Sequence, residues 1–529
     1  MRSAFLRHAA ARPDSPAVVV RGKTLSYGEL EQNARRWAQA IVCAGAKPPE
    51  RIGVFAYRSE VSYTATIASL LAGAAFVPLN PAFPHEKIRS MIVQAELDAI
   101  ILDKTCFALS RSVLTGLRDL LLLTPELESP DFGGIEARVL NAADLGRTPA
   151  SSELPPVCPD DIAYLLFTSG STGAPKGVPI SHGNVLPFMD VMSERYGIRP
   201  DDRFSQTFDQ TFDLSVFDLF MAWSNGACVY SLSPIELLAP TRFINTHALT
   251  VWFSVPSLAA QMIRRNTLMP NSLPTLRWSL FCGEPLPRRT AEHWQDAALN
   301  STVENLYGPT ELTIACFVHR WDPKTSPSMC LNDMVPIGRP YPGLGALVLG
   351  EDLRPVSDGD SGELCVTGPQ TATGYWQDDL KTAERFVRLP ISRLETRRFY
   401  RTGDRVQRLS SSEYVFLGRS DFQIKVLGHR VELGEVESAL RTQECVEHAV
   451  AVGWPVGQTS ADAVVAFVCG NGVDEKRLIE RAKAALPPYA VPQKIVVLAE
   501  MPLNANGKID RHALQQHLLD LRFDPSKPN

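Results

Sequence analysis

Between about Leu25 and Leu440, short apolar runs alternate with stretches whose apolar positions recur at helical spacing, the pattern of a layered α/β architecture. Arg51–Ala56, Ala99–Leu102, Ala163–Thr168 and Leu276–Cys282 read as strands, and Leu120–Leu123, apolar but short, as a buried one. Two segments, Arg147–Asp160 with its Pro and Ser and Trp321–Pro336, read as loops. After Gly418-Arg419-Ser420-Asp421 the texture changes. Helix Gly434–Thr442, strands His448–Gly453 and Val464–Cys469, helix Asp474–Leu486, strand Lys494–Leu498 and a helix from Asp510 predict a small α+β unit, with Asp524–Asn529 as a frayed tail.

At 529 residues the chain is too long for one ordinary core. A hydrophobic fraction of 45% and a charged fraction of 21% are those of a globular protein, and a net charge of -5 with no basic stripe argues against nucleic acid. The ten cysteines lack paired or His-flanked spacing, so neither a zinc site nor a disulfide framework is expected. The apolar run after Arg2 and Arg7 is broken by His8, Arg12 and Asp14, and no stretch reaches the ~18 residues a membrane helix needs. A cytoplasmic setting is the expectation.

The densest chemistry lies in Phe167-Thr168-Ser169-Gly170-Ser171-Thr172-Gly173-Ala174-Pro175-Lys176-Gly177. Glycines let backbone N–H groups turn toward an anion, the hydroxyls of Thr168, Ser169, Ser171 and Thr172 add donors, and Lys176 adds a point charge. The G-x-x-x-x-G-K-[ST] spacing of the P-loop fails, because Pro175 stands five residues after Gly170. Gly177–Ile180 reads as a further strand and Ser181 as the N-cap of a helix through Val185 to Met192.

This loop resembles the phosphate loop of the adenylate-forming superfamily, which includes acyl-CoA synthetases, luciferases and nonribosomal peptide synthetase adenylation domains. The resemblance covers nearly the whole chain. Leu25–Leu30, Leu71–Leu79, Asn305–Glu311, Gly362–Leu364 through Gly374–Trp376, Tyr400–Asp404, Gly418–Lys425 and Asn504–Arg511 follow the family's motifs in order, most like those of amino-acid adenylation domains. It implies a large multi-layered α/β N-terminal adenylation domain, 1–420, and a small mobile α+β C-terminal domain, 421–529, with ATP and Mg²⁺ as cofactors.

Carried over residue by residue, the resemblance makes Lys508 the catalytic lysine between substrate carboxylate and α-phosphate, although a lysine beside Asn506-Gly507 is by itself an ordinary turn residue. It makes Glu311 the Mg²⁺ carboxylate and Thr310 a phosphate contact. Tyr307 packs on adenine, Asp404 takes the ribose hydroxyls, Arg419 assists at ribose or phosphate, and Thr168, Ser169, Gly170, Ser171, Thr172 and Lys176 hold phosphate. Asp421 falls at the hinge, though spacing alone leaves it and Arg419 readable as a surface charge pair. In Phe212-Asp213-Leu214-Ser215, an unpaired carboxylate in an apolar run wants a cation. The family pairs this aspartate with the substrate ammonium; an N-cap for the helix around Val216–Trp223 is the alternative. Asp209 fits the motif less well.

Projected pocket positions are Asp213, Leu214, Phe217, Phe253, Leu280, Cys282, Leu306, Ile314, Ala315 and Lys508, which implies a small greasy pocket like that of L-proline-activating enzymes. The expected function is therefore ATP-dependent formation of an aminoacyl-AMP from L-proline or another small apolar amino acid. The acyl group then passes to the phosphopantetheine thiol of a separate acyl or peptidyl carrier protein, since no carrier domain follows Asp510. An acyl-CoA ligase, a D-alanyl-carrier-protein ligase-like enzyme and a non-catalytic effector-binding relative are the competing readings.

Overall fold

The computed structural model describes the chain apart from residues 46, 152, 169–174, 392–394, 420–422, 444, 456–459, 471, 503–508 and 521–529. Two sheets form the body of the larger part. The first runs, edge to edge, Ala137–Asn141, Leu120–Thr124, Ala99–Leu102, Arg51–Phe55, Ala75–Pro78, Ile162–Thr168 and Lys176–Ser181. Its strands pair in parallel except the last two, which form an antiparallel ladder on either side of the glycine-rich loop. The interior strands Arg51–Phe55, Ala75–Pro78 and Ala99–Leu102 are buried at every position, which is why they read as continuous apolar runs rather than alternating ones.

The second sheet is nine-stranded, with Thr302–Tyr307, Trp278–Phe281, Val251–Ser254, Arg203–Gln206, Cys228–Ser231 and Pro16–Val20 as its parallel heart. The helix Leu214–Ser224 lies in the core: each residue from Leu214 to Trp223 is buried. Sequence periodicity starts at Leu25, but the structure begins earlier, with a helix Arg2–Ala11 that packs Phe5 against Trp223 at a ring separation of 6.0 Å. Charges interrupt that helix, and only its contact with Leu214–Ser224 shows which face is apolar.

A smaller antiparallel sheet of Gly345–Leu349, Ser361–Thr367, Thr396–Arg408, Phe386–Pro390 and Tyr414–Arg419 precedes the C-terminal unit. There, His448–Trp454, Ala463–Cys469 and Lys494–Val497 form a sheet flanked by helices Leu433–Arg441, Glu475–Ala485 and Arg511–Asp520, within one or two residues of the expected elements. The sequence reading omitted a hairpin, Gln423–Val426 with His429–Glu432, whose register sets Gln423 opposite Glu432. Among the described residues no helix is long and apolar enough to cross a membrane.

Candidate functional site

Ser181 opens the helix His182–Tyr196 with a capping box, its hydroxyl accepting from Asn184 N–H while the Asn184 side chain reaches back. Asn184 also donates to the carbonyls of Pro369 (2.7 Å) and Thr371 (3.1 Å), fixing the segment that delivers Tyr375. The Tyr375 hydroxyl donates to Glu311 at 2.8 Å. Glu311 itself sits in a short 3₁₀ turn after Gly308-Pro309, where a Cβ on Gly308 would stand 2.5 Å from the Ala315 Cα. Only glycine permits that approach.

A cavity of 90 Å³ opens where these elements meet the hairpin of the C-terminal unit; its walls include Thr168, Asp213, Leu214, Tyr307, Thr310, Asp404 and Arg419 from the expected set. Asp404 is the hub of one wall. Its carboxylate accepts from the Tyr307 hydroxyl and from Arg419, and its own N–H donates to Thr402 Oγ1 at 3.0 Å. Thr168 Oγ1 is buried and has no partner among the described residues, a hydroxyl left over for something in the cavity.

Asp213 is 6% exposed. It occupies the N-cap position of Leu214–Ser224 but makes no side-chain cap bond; instead its Oδ2 accepts the N–H of Ile314 at 3.2 Å. Ile314 takes φ 72°, an uncommon left-handed conformation for a β-branched residue, in the turn that presents this N–H. Burial pushes the Asp213 carboxyl up to about 7, against hydrogen bonds from Thr310 and Ile314. No basic side chain pairs with it among the described residues. Asp209, by contrast, is spent locally, accepting from Asn80 at 2.9 Å and from Thr211.

The remaining projected pocket positions, Phe217, Phe253, Leu280, Cys282, Leu306, Ile314 and Ala315, are buried in the same apolar cluster as Leu214. They pack there rather than lining the cavity, with Phe217 and Phe253 edge to face at 5.0 Å; Leu306 reaches a small adjoining recess. Ser169, Gly170, Ser171, Thr172, Asp421 and Lys508 lie outside the described residues.

The hairpin supplies what sequence reasoning missed. Gln423, Lys425, His429 and Arg430 line the cavity. Lys425 is partly buried, and desolvation lowers its pKa. His429 stacks on Tyr489 at 3.8 Å and is pushed down to about 4 by burial, hence neutral at pH 7. Arg430 Nη1 stands 3.4 Å from Glu311 Oε1, and Lys176 Nζ 3.2 Å from Glu432 Oε1. Burial would raise the Glu311 carboxyl, but Arg430 and Lys176 outweigh it and hold it below the ordinary carboxylate range. The motif Gly418–Lys425 was the available signal, but charges spaced along a strand read as a solvated edge until docking buries them.

Taken together, the cavity offers Arg419, Lys425 and Arg430 in its walls for an anionic ligand and, in Asp213, a buried acid without a basic partner among the described residues.

The profile of the family described as AMP-binding enzyme matches residues 5–376, and that of the AMP-binding enzyme C-terminal domain matches residues 435–508. The chain is 30% identical over 516 residues to tyrocidine synthase 1 of Brevibacillus parabrevis, covering 97% of this chain but 44% of that protein. It thus spans less than half the length of several of the relatives it matches. It is 32% identical over 522 residues to the L-proline--[L-prolyl-carrier protein] ligase of Pseudomonas fluorescens, covering 97% of this chain and 98% of the ligase. Among solved structures, the Vibrio cholerae adenylation domain AlmE in complex with glycyl-adenosine-5'-phosphate superposes with a TM-score of 0.87 at 30% identity, covering 98% of this chain and 97% of that one.

Proposed function

The chain belongs to the AMP-binding enzyme family, and from that premise we propose that it activates an amino acid with ATP and passes the acyl group to the phosphopantetheine thiol of a carrier protein. In the first step an oxygen of the substrate carboxylate bonds to the α-phosphorus of ATP and the bond to pyrophosphate breaks, leaving aminoacyl-AMP. In the second, the carrier thiol loses its proton to solvent, its sulfur bonds to the acyl carbon, and AMP leaves as the mixed-anhydride bond between the acyl carbon and the phosphate oxygen breaks. The boundary between the two domains is proposed at residues 420 and 421.

The observation that carries the amino-acid reading is Asp213, a buried carboxylate at the cavity wall without a cationic partner among the described residues. A substrate ammonium would complete it, which an aryl or acyl acid does not supply. Asp404 and Arg419 are assigned to the ribose, Tyr307 to the base, and Thr168, Thr310 and Lys176 with Ser169, Gly170, Ser171 and Thr172 to phosphate. Lys508 is assigned to the reacting carboxylate and Asp421 to the hinge. Glu311 fits a cation site: a fully buried carboxylate, it already holds a guanidinium at 3.4 Å, and Mg²⁺ is commonly bound by one or two carboxylates plus phosphate oxygens. Bound there, Mg²⁺ would neutralise charge on the phosphates.

Leu214 in the cavity wall, backed by the apolar cluster of Phe217, Phe253, Leu280, Cys282, Leu306, Ile314 and Ala315 packed behind it, favours L-proline or another small apolar amino acid. A polar substrate side chain would be left without partners there, a loss of ~1–3 kcal/mol. The name of the Pseudomonas fluorescens relative agrees with proline. All ten cysteines are free thiols, in keeping with a cytoplasmic setting. The test is amino-acid-dependent exchange of pyrophosphate into ATP, followed by capture of the acyl group on a phosphopantetheinylated carrier.

A further inference from the structure

Two consecutive β-branched residues, Thr313 and Ile314, stand in the left-handed region at φ 58° and 72°, a conformation such side chains avoid unless their surroundings impose it. One buried side chain does so here. Gln370, 2% exposed, spreads its Nε2 over three carbonyls of this turn, Ala315 at 2.7 Å, Leu312 at 3.1 Å and Thr313 at 3.3 Å. Its own carbonyl accepts from Thr313 Oγ1 at 2.6 Å. The Ile314 N–H, lying between those carbonyls along the chain, is the one that donates to Asp213 at 3.2 Å. The neighbouring amides bond within the turn, Thr313 N–H to Thr310 O at 3.0 Å and Ala315 N–H to Thr313 O at 2.9 Å.

Gln370 is itself held from both sides, since Asn184 donates to the carbonyls of its chain neighbours Pro369 and Thr371. Removing the Gln370 amide would leave three buried carbonyls without that donor, a costly state that the turn relieves by leaving its left-handed form. The Ile314 N–H would then swing away from Asp213. Resting on the assignment of Asp213 to the substrate ammonium, we propose that Gln370 is a positioning residue for the amino-acid site: it holds residues 312–315 so that the Ile314 N–H fixes the Asp213 carboxylate at the cavity wall. Gln370 is not among the residues lining the cavity and acts only through the turn. Glu311, at the other end of the same turn, is held independently of that amide, by Ala372 N–H on its carbonyl at 2.9 Å and by the Tyr375 hydroxyl on its carboxylate. Loss of the amide should therefore disturb amino-acid binding far more than ATP binding.

Pyrophosphate exchange by the full-length protein, with the amino acid that the wild type activates best as the probe, tests this. Gln370→Met keeps the length of the side chain and removes the amide. KM for the amino acid should rise at least about tenfold while kcat and KM for ATP change less than about threefold, the signature of a binding interaction lost equally from ground and transition states. Thr313→Val, which removes only the bond to the Gln370 carbonyl, should raise the same KM about threefold, and it decides alone if Gln370→Met does not fold. An amino-acid KM within about twofold of the wild type, or both KM values and kcat worsening in equal proportion, would overturn the proposal. If the wild type activates no amino acid, the functional reading fails and this inference falls with it; normal wild-type exchange with an unmoved KM in the variants removes this inference alone.

Discussion

Asp213 carries the sharpest consequences at the scale of single residues. Its carboxyl is pushed up to about 7 by burial, so in the empty pocket it is largely protonated below neutrality, whereas an ammonium substrate needs it ionised. Substrate binding must then release a proton below pH 7, and affinity should rise with pH and level off above it. KM for the amino acid should fall about tenfold between pH 6 and pH 8, measured by pyrophosphate exchange with ATP saturating; a flat profile would detach Asp213 from the ammonium. Asp213→Ala should cost ~3–5 kcal/mol in kcat/KM toward every amino acid, because it strands a buried cation. Trimming Phe217 or Phe253 removes apolar contact alone, ~1–3 kcal/mol, and should shift preference toward larger apolar substrates. A carboxylate in an apolar run was legible in the sequence as wanting a partner. Arg430 and Glu432 were not, since two residues apart on a strand they look like an exposed face until Glu311 and Lys176 enclose them.

The strand Thr302–Tyr307 shows how an element holds the site. It brings Tyr307 to Asp404, and it is anchored by Glu304, a fully buried carboxylate that accepts from Arg195 at 2.6 and 2.8 Å, from Arg320 at 2.9 Å and from the Tyr196 hydroxyl at 3.1 Å. Glu304→Gln leaves the guanidinium groups short of a counter-charge and should destabilise the large domain by about 3 kcal/mol or more, seen as a lower urea midpoint for its transition. An unchanged midpoint would mean the cluster contributes little. Elements bounded by clear chemistry were read well from sequence: Ser181 does cap its helix, and the helix expected over Asp474–Leu486 runs Glu475–Ala485, with Asp474 as its cap. The hairpin around Gly428 was missed because a four-residue strand on either side of a tight turn carries too little periodicity to stand out, although Val426 and Val431 are buried in the core of the C-terminal unit.

For the molecule as a whole, two half-reactions are assigned to one cavity, and residues of the docked hairpin form part of its lining. Lys508 is assigned to that first step, so Lys508→Ala should reduce adenylation more than about a hundredfold while transfer from preformed aminoacyl-AMP to a carrier largely persists; equal losses in both would remove the assignment. The order of motifs along the chain made the two-domain architecture legible, but not the orientation in which the domains meet, which is set by buried ion pairs between residues some hundred or more positions apart, Lys176 with Glu432 and Lys87 with Glu435 among them. The most direct test of the central claim is ATP–pyrophosphate exchange across all the proteinogenic amino acids. The account predicts exchange that depends on an amino acid and is fastest with proline, or failing that with another small apolar one such as alanine or valine. Exchange driven best by lysine, aspartate or an aryl acid without an amine, or exchange with none of them, would contradict it.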